Sequence, residues 1–404
     1  MTEPGSICVD EPTAPRHIAG MKPYAIHGFL SDDGTVVSDA TDRVSQPSHR
    51  IRLDRDAAHE AIDLFVARVP DVLVTSSYLP IEVASGRMML NQSYHDIAYW
   101  FPDMRPKLDG DRFRLESEPV VLEGPYVLIG GPIDRVWYHW LVSWCARISI
   151  LRRVRPDLFN DPKVRFLISY EAGEAQFRES LMAMGVPEDR LHFVSHGFDY
   201  LLKDAILVTF PDQRFLYPDV VRAVASDMKA HFLDDTGSRP PPGRRIFASR
   251  QSIDHPKRRI ANWDAVRKVL DAFGFEVVSM GAESAASQVR MFAEAEFVLG
   301  VHGSDLANLA FCEPGATALV IENERNVYHG ISASLDILCQ ITGVRYDCLI
   351  VDEVVDPDTD YSNFPDVHNR DVIVPPEILR ERLIALGCLP LPSAVERSVA
   401  RITA

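Results

Sequence analysis

From about residue 116 onward, short apolar runs alternate with longer stretches in which apolar residues recur every three or four positions, the pattern of strands and packed helices following one another. Residues 126–129, 164–169, 191–194 and 205–210 read as strands; 136–154, 174–184 and 218–232 read as helices, the second closed by Gly185. The pattern breaks at 234–243, where Pro and Gly oppose both helix and ladder pairing. It then resumes, with strands at 245–248, 275–279, 297–301 and 317–321, helices at 263–273 and 285–295, and a further helix from Ser304. Strands separated by helices of this length imply parallel sheets.

The expected architecture is therefore α/β, with two Rossmann-like domains facing a cleft and ligands bound at the carboxyl ends of the strands. Residues 1–115, rich in Pro, Asp and Ser with short β-like runs such as Val72-Leu73-Val74-Thr75, are read as an irregular N-terminal elaboration. The first Rossmann-like domain is expected at 116–235 and the second at 244–355. A C-terminal tail at 356–404 carries a short helix at 377–386.

A chain of 404 residues has room for two cores of ordinary size. Its net charge of −16 argues against a nucleic-acid polyanion as partner. A local basic cleft could still take a small phosphate, and arginines cluster at Arg152-Arg153-Arg155 and around Arg244, Arg245, Arg250, Arg258 and Arg259. The six scattered cysteines form no C-x-x-C pair, so neither a zinc site nor a disulfide framework is suggested. No apolar run is long enough to span a bilayer and no signal-type leader is visible, so a cytoplasmic protein is expected, at most peripheral to the inner membrane.

The run from Ala295 to Asn308 reads as a buried strand, a glycine turn and a helix start. Small residues at Gly303 and Ser304 let an anion approach backbone amides at the positive end of a helix. The plainer alternative is an ordinary βα loop with Ser304 as N-cap. Ser249-Arg250 ends another strand and could aim a guanidinium at a diphosphate; a surface ion pair is the competing reading for each arginine. Glu322, just past the strand at 317–321, could bind ribose hydroxyls or be a solvated loop acid. On the helix opened by Trp137-Tyr138-His139-Trp140-Leu141, His139, Ser143 and Arg147 recur every four residues as one polar stripe. His139 is either a satisfied core residue or a general base.

Taken in order, Trp137-Tyr138-His139-Trp140-Leu141, Ala248-Ser249-Arg250, Arg259-Ile260-Ala261-Asn262, Gly274-Phe275-Glu276-Val277, Gln288, Gly300 to Asn308 and Ile321-Glu322 resemble glycosyltransferase family 61 over roughly residues 124–325. The resemblance implies a GT-B fold and inverting, metal-independent transfer from a nucleotide sugar, usually a UDP-sugar, to a glycan hydroxyl. No cofactor beyond that substrate is implied. It places His139 as the catalytic candidate, and Ser249, Arg250, Arg259, Asn262, His302, Gly303, Ser304 and Glu322 at the donor. Relatives include proteins of capsular polysaccharide biosynthesis.

Three positions depart from the family pattern. Trp263 stands where the family usually has Glu, Ser143 where it commonly has an acid, and Asp305 lies in the loop where a small or apolar residue is usual. Asp305 would repel a diphosphate if it pointed inward, so it is expected to point away or to weaken the donor. The lost acids leave open a non-catalytic scaffold of the same shape in polysaccharide assembly. A sugar-nucleotide epimerase fits the motif order less well.

Overall fold

The structure, a computed structural model, describes residues 6–8, 66–74, 80–83, 87–88, 108–109, 112–114, 118–131, 135–169, 174–195, 198–208, 216, 218–233, 242–251, 258–324, 333–354 and 369–391. The chain divides into two compact units, Met1–His231 and Phe232–Ala404.

In the first unit, strands β1 (Val66–Val74), β2 (Pro80–Glu82), β3 (Arg87–Met88), β4 (Val120–Leu128), β5 (Arg165–Ser169), β6 (Leu191–Val194) and β7 (Tyr200–Val208) form one sheet. The spatial order is β3-β2-β1-β7-β4-β5-β6. β4 to β7 are mutually parallel, so this part of the sheet reverses direction of growth between β4 and β7. A small separate antiparallel sheet joins Ser6–Cys8, Leu108–Asp109 and Arg112–Arg114.

The segment read as irregular elaboration thus supplies a strand beside β7. β1 runs antiparallel to β7, and an Arg68–Asp204 pair, with Nε to Oδ1 at 2.7 Å and Nη2 to Oδ2 at 2.6 Å, crosses between them. Val66-Ala67-Arg68-Val69-Pro70-Asp71 carries too many polar and breaking residues to advertise a strand. Of the run expected there, Thr75 lies outside the described residues, as does Phe210 of the strand expected at 205–210.

The helix expected at 136–154 is three pieces: α1 (Trp137–His139), a π-helical turn at Trp140–Trp144, and α2 (Cys145–Val154). Trp140 and Trp144 are both fully buried. Trp140 Nε1 donates to Ser180 Oγ at 2.7 Å, and that hydroxyl donates onward to the Phe177 carbonyl at 2.6 Å, so the indole is fixed while the backbone widens around it. Helices α3 (Pro156–Asn160), α4 (Ala175–Ala183) and α5 (Pro218–Phe232) complete the unit. Gly185 closes α4 with a left-handed φ of 87°.

Just after β4, Gly131 faces Trp144 so closely that a Cβ would overlap the indole. Because that ring is wedged in the core, Gly131→Ala is expected to destabilise the protein by about 1–3 kcal/mol. A denaturant midpoint equal to that of the wild type would show that the ring has room to retreat.

The second unit holds β8 (Arg244–Ala248), β9 (Glu276–Val278), β10 (Ala295–Val301), β11 (Thr317–Asn323), β12 (Arg345–Glu353) and β13 (Val372–Ile373), in the order β9-β8-β10-β11-β12-β13. All neighbours are parallel except the β12–β13 edge. Every residue of β11 is buried, and β10 is buried but for Glu296, as strands covered on both faces require. Helices α6 (Trp263–Ala272), α7 (Ala285–Ala293), α8 (Ala333–Thr342) and α9 (Pro376–Ala385) flank this sheet.

The helix expected in the C-terminal tail is α9, and it is part of the core. Its Leu379 and Leu383 pack in one cluster with Val266, Leu270, Phe247 and Leu299. Arg245 donates from Nη1 to the carbonyls of Phe273 at 2.8 Å and Leu389 at 2.6 Å, and the Leu391 N–H donates to Ala272 at 2.8 Å. Among the described residues, Cys145, Cys312, Cys339 and Cys388 are buried and Cys348 is half-buried, all of them free thiols.

Candidate active site

The strand order of the second unit, counted from β8, is second, first, third, fourth, fifth. Crossovers therefore leave in opposite directions from β8 and β10, and the carboxyl ends of those two strands flank the position where open α/β sheets bind ligands. Ser249 and Arg250 leave β8 there, and His302, Gly303 and Ser304 leave β10. Four residue types nominated from sequence are thus brought to one place by the topology.

Ser249 is pinned by its backbone: its N–H donates to Val278 at 2.7 Å, and its Oγ accepts from the Gln251 N–H at 3.3 Å. Arg250 lies against Gly303, where a Cβ would come within 2.6 Å of Nη1. The φ of Gly303 is −179°, ordinary extended backbone, so glycine is required there by the guanidinium and not by the torsion. At Gly300, likewise, a Cβ would press on the Ala248 carbonyl and the Leu306 side chain at 3.2 Å, which keeps β8 and β10 close.

The element after Ser304 is a 3-10 helix, Ser304–Phe311, where an α-helix was expected. Its N-cap residue is Gly303, with Ser304 the first helical position. Asn308 explains the tight winding. Its Nδ2 donates to Asp305 O at 3.0 Å and to Gln288 Oε1 at 2.7 Å, while Gln288 Nε2 donates to Met280 O at 3.1 Å and Glu283 O at 3.0 Å. This buried amide pair fastens the turn to α7.

Asp305 points toward Arg250. Its Oδ2 lies 3.3 Å from Arg250 Nη1, with the two side chains only 18% and 11% exposed. Burial raises the Asp305 carboxyl above its usual range, while Arg250 and then Arg258 pull it down. Of the two expectations for Asp305, that it turns away from a diphosphate or that it weakens the donor, this pairing with Arg250 accords with the second.

His302 and Glu322 form a buried pair. β10 and β11 run in register with Val301 opposite Ile321, and the His302 N–H extends that ladder to Ile321 O at 3.0 Å. The next residues are therefore side by side, with His302 Nδ1 2.5 Å from Glu322 Oε1. Glu322 is 1% exposed, which excludes the alternative of a solvated loop acid. A carboxylate there favours the tautomer protonated at Nδ1 and fixes the plane of the ring.

Arg258, which sequence reasoning passed over in favour of Arg259, belongs to this cluster. Its Nη1 donates to His302 O at 2.9 Å and its N–H to Asn369 O at 3.1 Å. Burial pushes its guanidinium down to about 9, with Arg250 lowering it further and Asp305 and Glu322 opposing. Its φ of 58° is a left-handed backbone that costs a non-glycine residue about 1 kcal/mol or more. The arginine run was the only signal for it in the sequence.

Arg259 and Asn262 are placed differently. The Arg259 N–H donates to Asp371 Oδ1 at 2.7 Å and its Nε lies 3.8 Å from Oδ2. The Asn262 amide clamps Val374 from both ends, Nδ2 to O at 2.7 Å and Oδ1 from N–H at 3.0 Å. Both hold the segment leading to α9.

In the first unit, β4, β5, β6 and β7 stand in the order third, second, first, fourth, so the equivalent position lies beyond β4 and β7. Gly130 and Gly131 leave β4 there, with the Gly130 N–H on Leu167 O at 3.1 Å. His139 is half-buried and immediately precedes the π turn, a feature concentrated at functional sites. That turn also takes residues four apart out of line, so His139, Ser143 and Arg147 do not form the straight stripe their spacing suggested. Ser143 and Arg147 are buried; Arg147 donates from Nη1 to Leu128 O at 2.8 Å and stacks 4.6 Å above the Trp144 ring. Burial lowers its guanidinium to about 9.

Among the described residues no group of three or more His, Cys, Asp or Glu side chains is arranged to hold a metal ion. Asp-x-Asp tripeptides occur at Asp54-Arg55-Asp56, Asp109-Gly110-Asp111, Asp356-Pro357-Asp358 and Asp358-Thr359-Asp360, and none lies wholly within the described residues. No helix among those residues is long and apolar enough to cross a membrane.

Basic and imidazole groups thus gather at a strand-end switch point of the second unit. The family model Glycosyltransferase 61 matches residues 137–320, from the first residue of α1 into β11, and this match supports a glycosyltransferase. No curated protein matches the sequence.

Proposed function

We propose that the protein is an inverting, metal-independent glycosyltransferase of GT-B type that moves a sugar from a UDP-sugar to a hydroxyl of a polysaccharide or other glycan, in cytoplasmic assembly of a capsule-like polymer. The observation that carries the donor site is the convergence of Arg250, Arg258, His302 and the glycine turn at the switch point between β8 and β10. Arg250, with the backbone at Gly303 and Ser304, stabilises the diphosphate as its bond to the anomeric carbon breaks. These fixed dipoles and charges take the part a metal ion plays elsewhere. His302, oriented at Nδ1 by Glu322, lines the same site. Glu322 thus acts through His302 and not on a ribose.

The first unit supplies the acceptor side. His139 takes the proton of the acceptor hydroxyl as its oxygen attacks the anomeric carbon opposite the departing diphosphate, which inverts the configuration. Arg259 and Asn262 contribute by holding the segment that packs beneath Arg258.

The test is release of UDP from UDP-glucose, UDP-N-acetylglucosamine or UDP-xylose by the full chain with a panel of oligosaccharide acceptors, with the product anomer read by NMR. Inversion and undiminished turnover in excess chelator are expected; a retained anomer or loss of turnover on chelation overturns the corresponding part. Gly303→Ala gives a sharper readout, because the methyl drives Arg250 aside while the backbone torsion suits alanine. Donor affinity should fall about tenfold or more with the melting temperature little changed, as expected for loss of one charged hydrogen-bonding group. Unchanged affinity would remove Arg250 from the donor site.

A further inference from the structure

We propose that Asp305 is an internal anion standing in the place of the donor phosphate on Arg250, and that donor binding is therefore coupled to uptake of one proton by the Asp305 carboxylate. The inference rests on the donor site described above. Asp305 Oδ2 sits 3.3 Å from Arg250 Nη1 in a position set by the 3-10 winding of Ser304–Phe311, so it meets the guanidinium where an incoming anion would.

The charges around it make the coupling quantitative. Among the described residues, the groups facing this cluster are Arg250 after β8, Arg258 in the following loop, His302 after β10 and Glu322 near the end of β11. Two guanidinium charges are already opposed by two carboxylates. A UDP-sugar brings two further negative charges, which do not titrate between about pH 5 and 8, so the ligand itself supplies no proton. Glu322 is committed to His302, which leaves Asp305 as the carboxylate that can give up its charge. Protonation converts the Asp305–Arg250 ion pair to a neutral acid beside a guanidinium released from that carboxylate, and the proton comes from solvent. The site is already inclined that way, since burial raises this carboxyl.

Linkage then fixes the direction. Donor affinity weakens as pH rises above the Asp305 pKa, by up to about tenfold per pH unit for one coupled proton. Asp305→Asn keeps the shape of the side chain and removes both charge and titration. Isothermal titration of UDP-glucose, UDP-N-acetylglucosamine and UDP-xylose, repeated in buffers of different ionisation enthalpy from pH 6 to 8, counts the protons taken up. The wild type is expected to take up close to one proton at the alkaline end, and Asp305→Asn none. At pH 8 the variant is expected to bind on the order of tenfold more tightly or better, with affinity flat in pH. Asp305→Ser should behave alike if the asparagine variant does not fold.

Equal affinity and equal proton uptake in wild type and variant would assign the proton to His302 and overturn the inference. If the wild type binds, Arg250→Ala abolishes binding and Asp305→Asn changes nothing, the donor site stands and the coupling falls. If no UDP-, GDP-, CMP- or dTDP-sugar gives heat with either protein, both fall together.

Discussion

Arg250→Ala is expected to lower kcat by about 10²–10³-fold, the loss that follows removal of one preorganised charge at a developing anion. The geometry makes this position hard to replace. Its side chain is only 11% exposed, rests on a glycine that has no side chain to push it away, and stands two residues past the end of β8. Lysine there is expected to recover little, because a point charge on a flexible stem cannot present two parallel donors to a diphosphate. The measurement is single-turnover kinetics at saturating donor, with circular dichroism and thermal melting to show that the fold persists. Turnover within a few-fold of wild type would take Arg250 out of the mechanism altogether.

Glu322→Ala is the second large effect, and it acts on folding and chemistry together. The carboxylate is buried against His302 Nδ1 at 2.5 Å, at the end of a strand whose every residue is covered. Truncation leaves a buried ring N–H without this acceptor and a void beside it, a loss of about 3 kcal/mol. The ring is then free to turn or change tautomer, so kcat is expected to fall by about 10²-fold even where the protein is still folded. Glu322→Gln preserves the volume and a hydrogen-bond acceptor and should recover most of the stability. Melting and kcat both at wild-type values for the alanine variant would mean that the pair supports neither the fold nor the transfer.

The parts of this fold legible in the sequence are those governed by local pattern. β8, β10 and β11 each carry an apolar run beside helices of regular period, so their ends, and with them Ser249 and Arg250 after β8 and His302 and Gly303 after β10, could be placed without a structure. What was not legible depends on geometry between segments. Whether Arg258 or Arg259 reaches His302 turns on one left-handed residue, and nothing in the composition of that loop announces it. The His302–Glu322 pair depends on the register of two strands whose partners are separated by a crossover. Asp305 could be read as a conflict but not as a contact, since its direction follows from the Asn308–Gln288 fastening. β1 was obscured by Pro70 and Asp71, which a strand tolerates only because of where it lies in the sheet.

The stitching of α9 and β13 beneath the second sheet bears on how this unit is to be isolated. The matched span stops at residue 320, yet the apolar cluster under β8 and β10 is completed by Val372, Val374, Leu379, Leu383 and Cys388. The backbone that steadies Arg258 likewise belongs to Asn369. An expression fragment trimmed to the family boundary would expose that cluster to water and leave the donor arginines on an unsupported loop. A fragment retaining donor affinity must run at least to Leu391, where the chain makes its last described hydrogen bond back to α6.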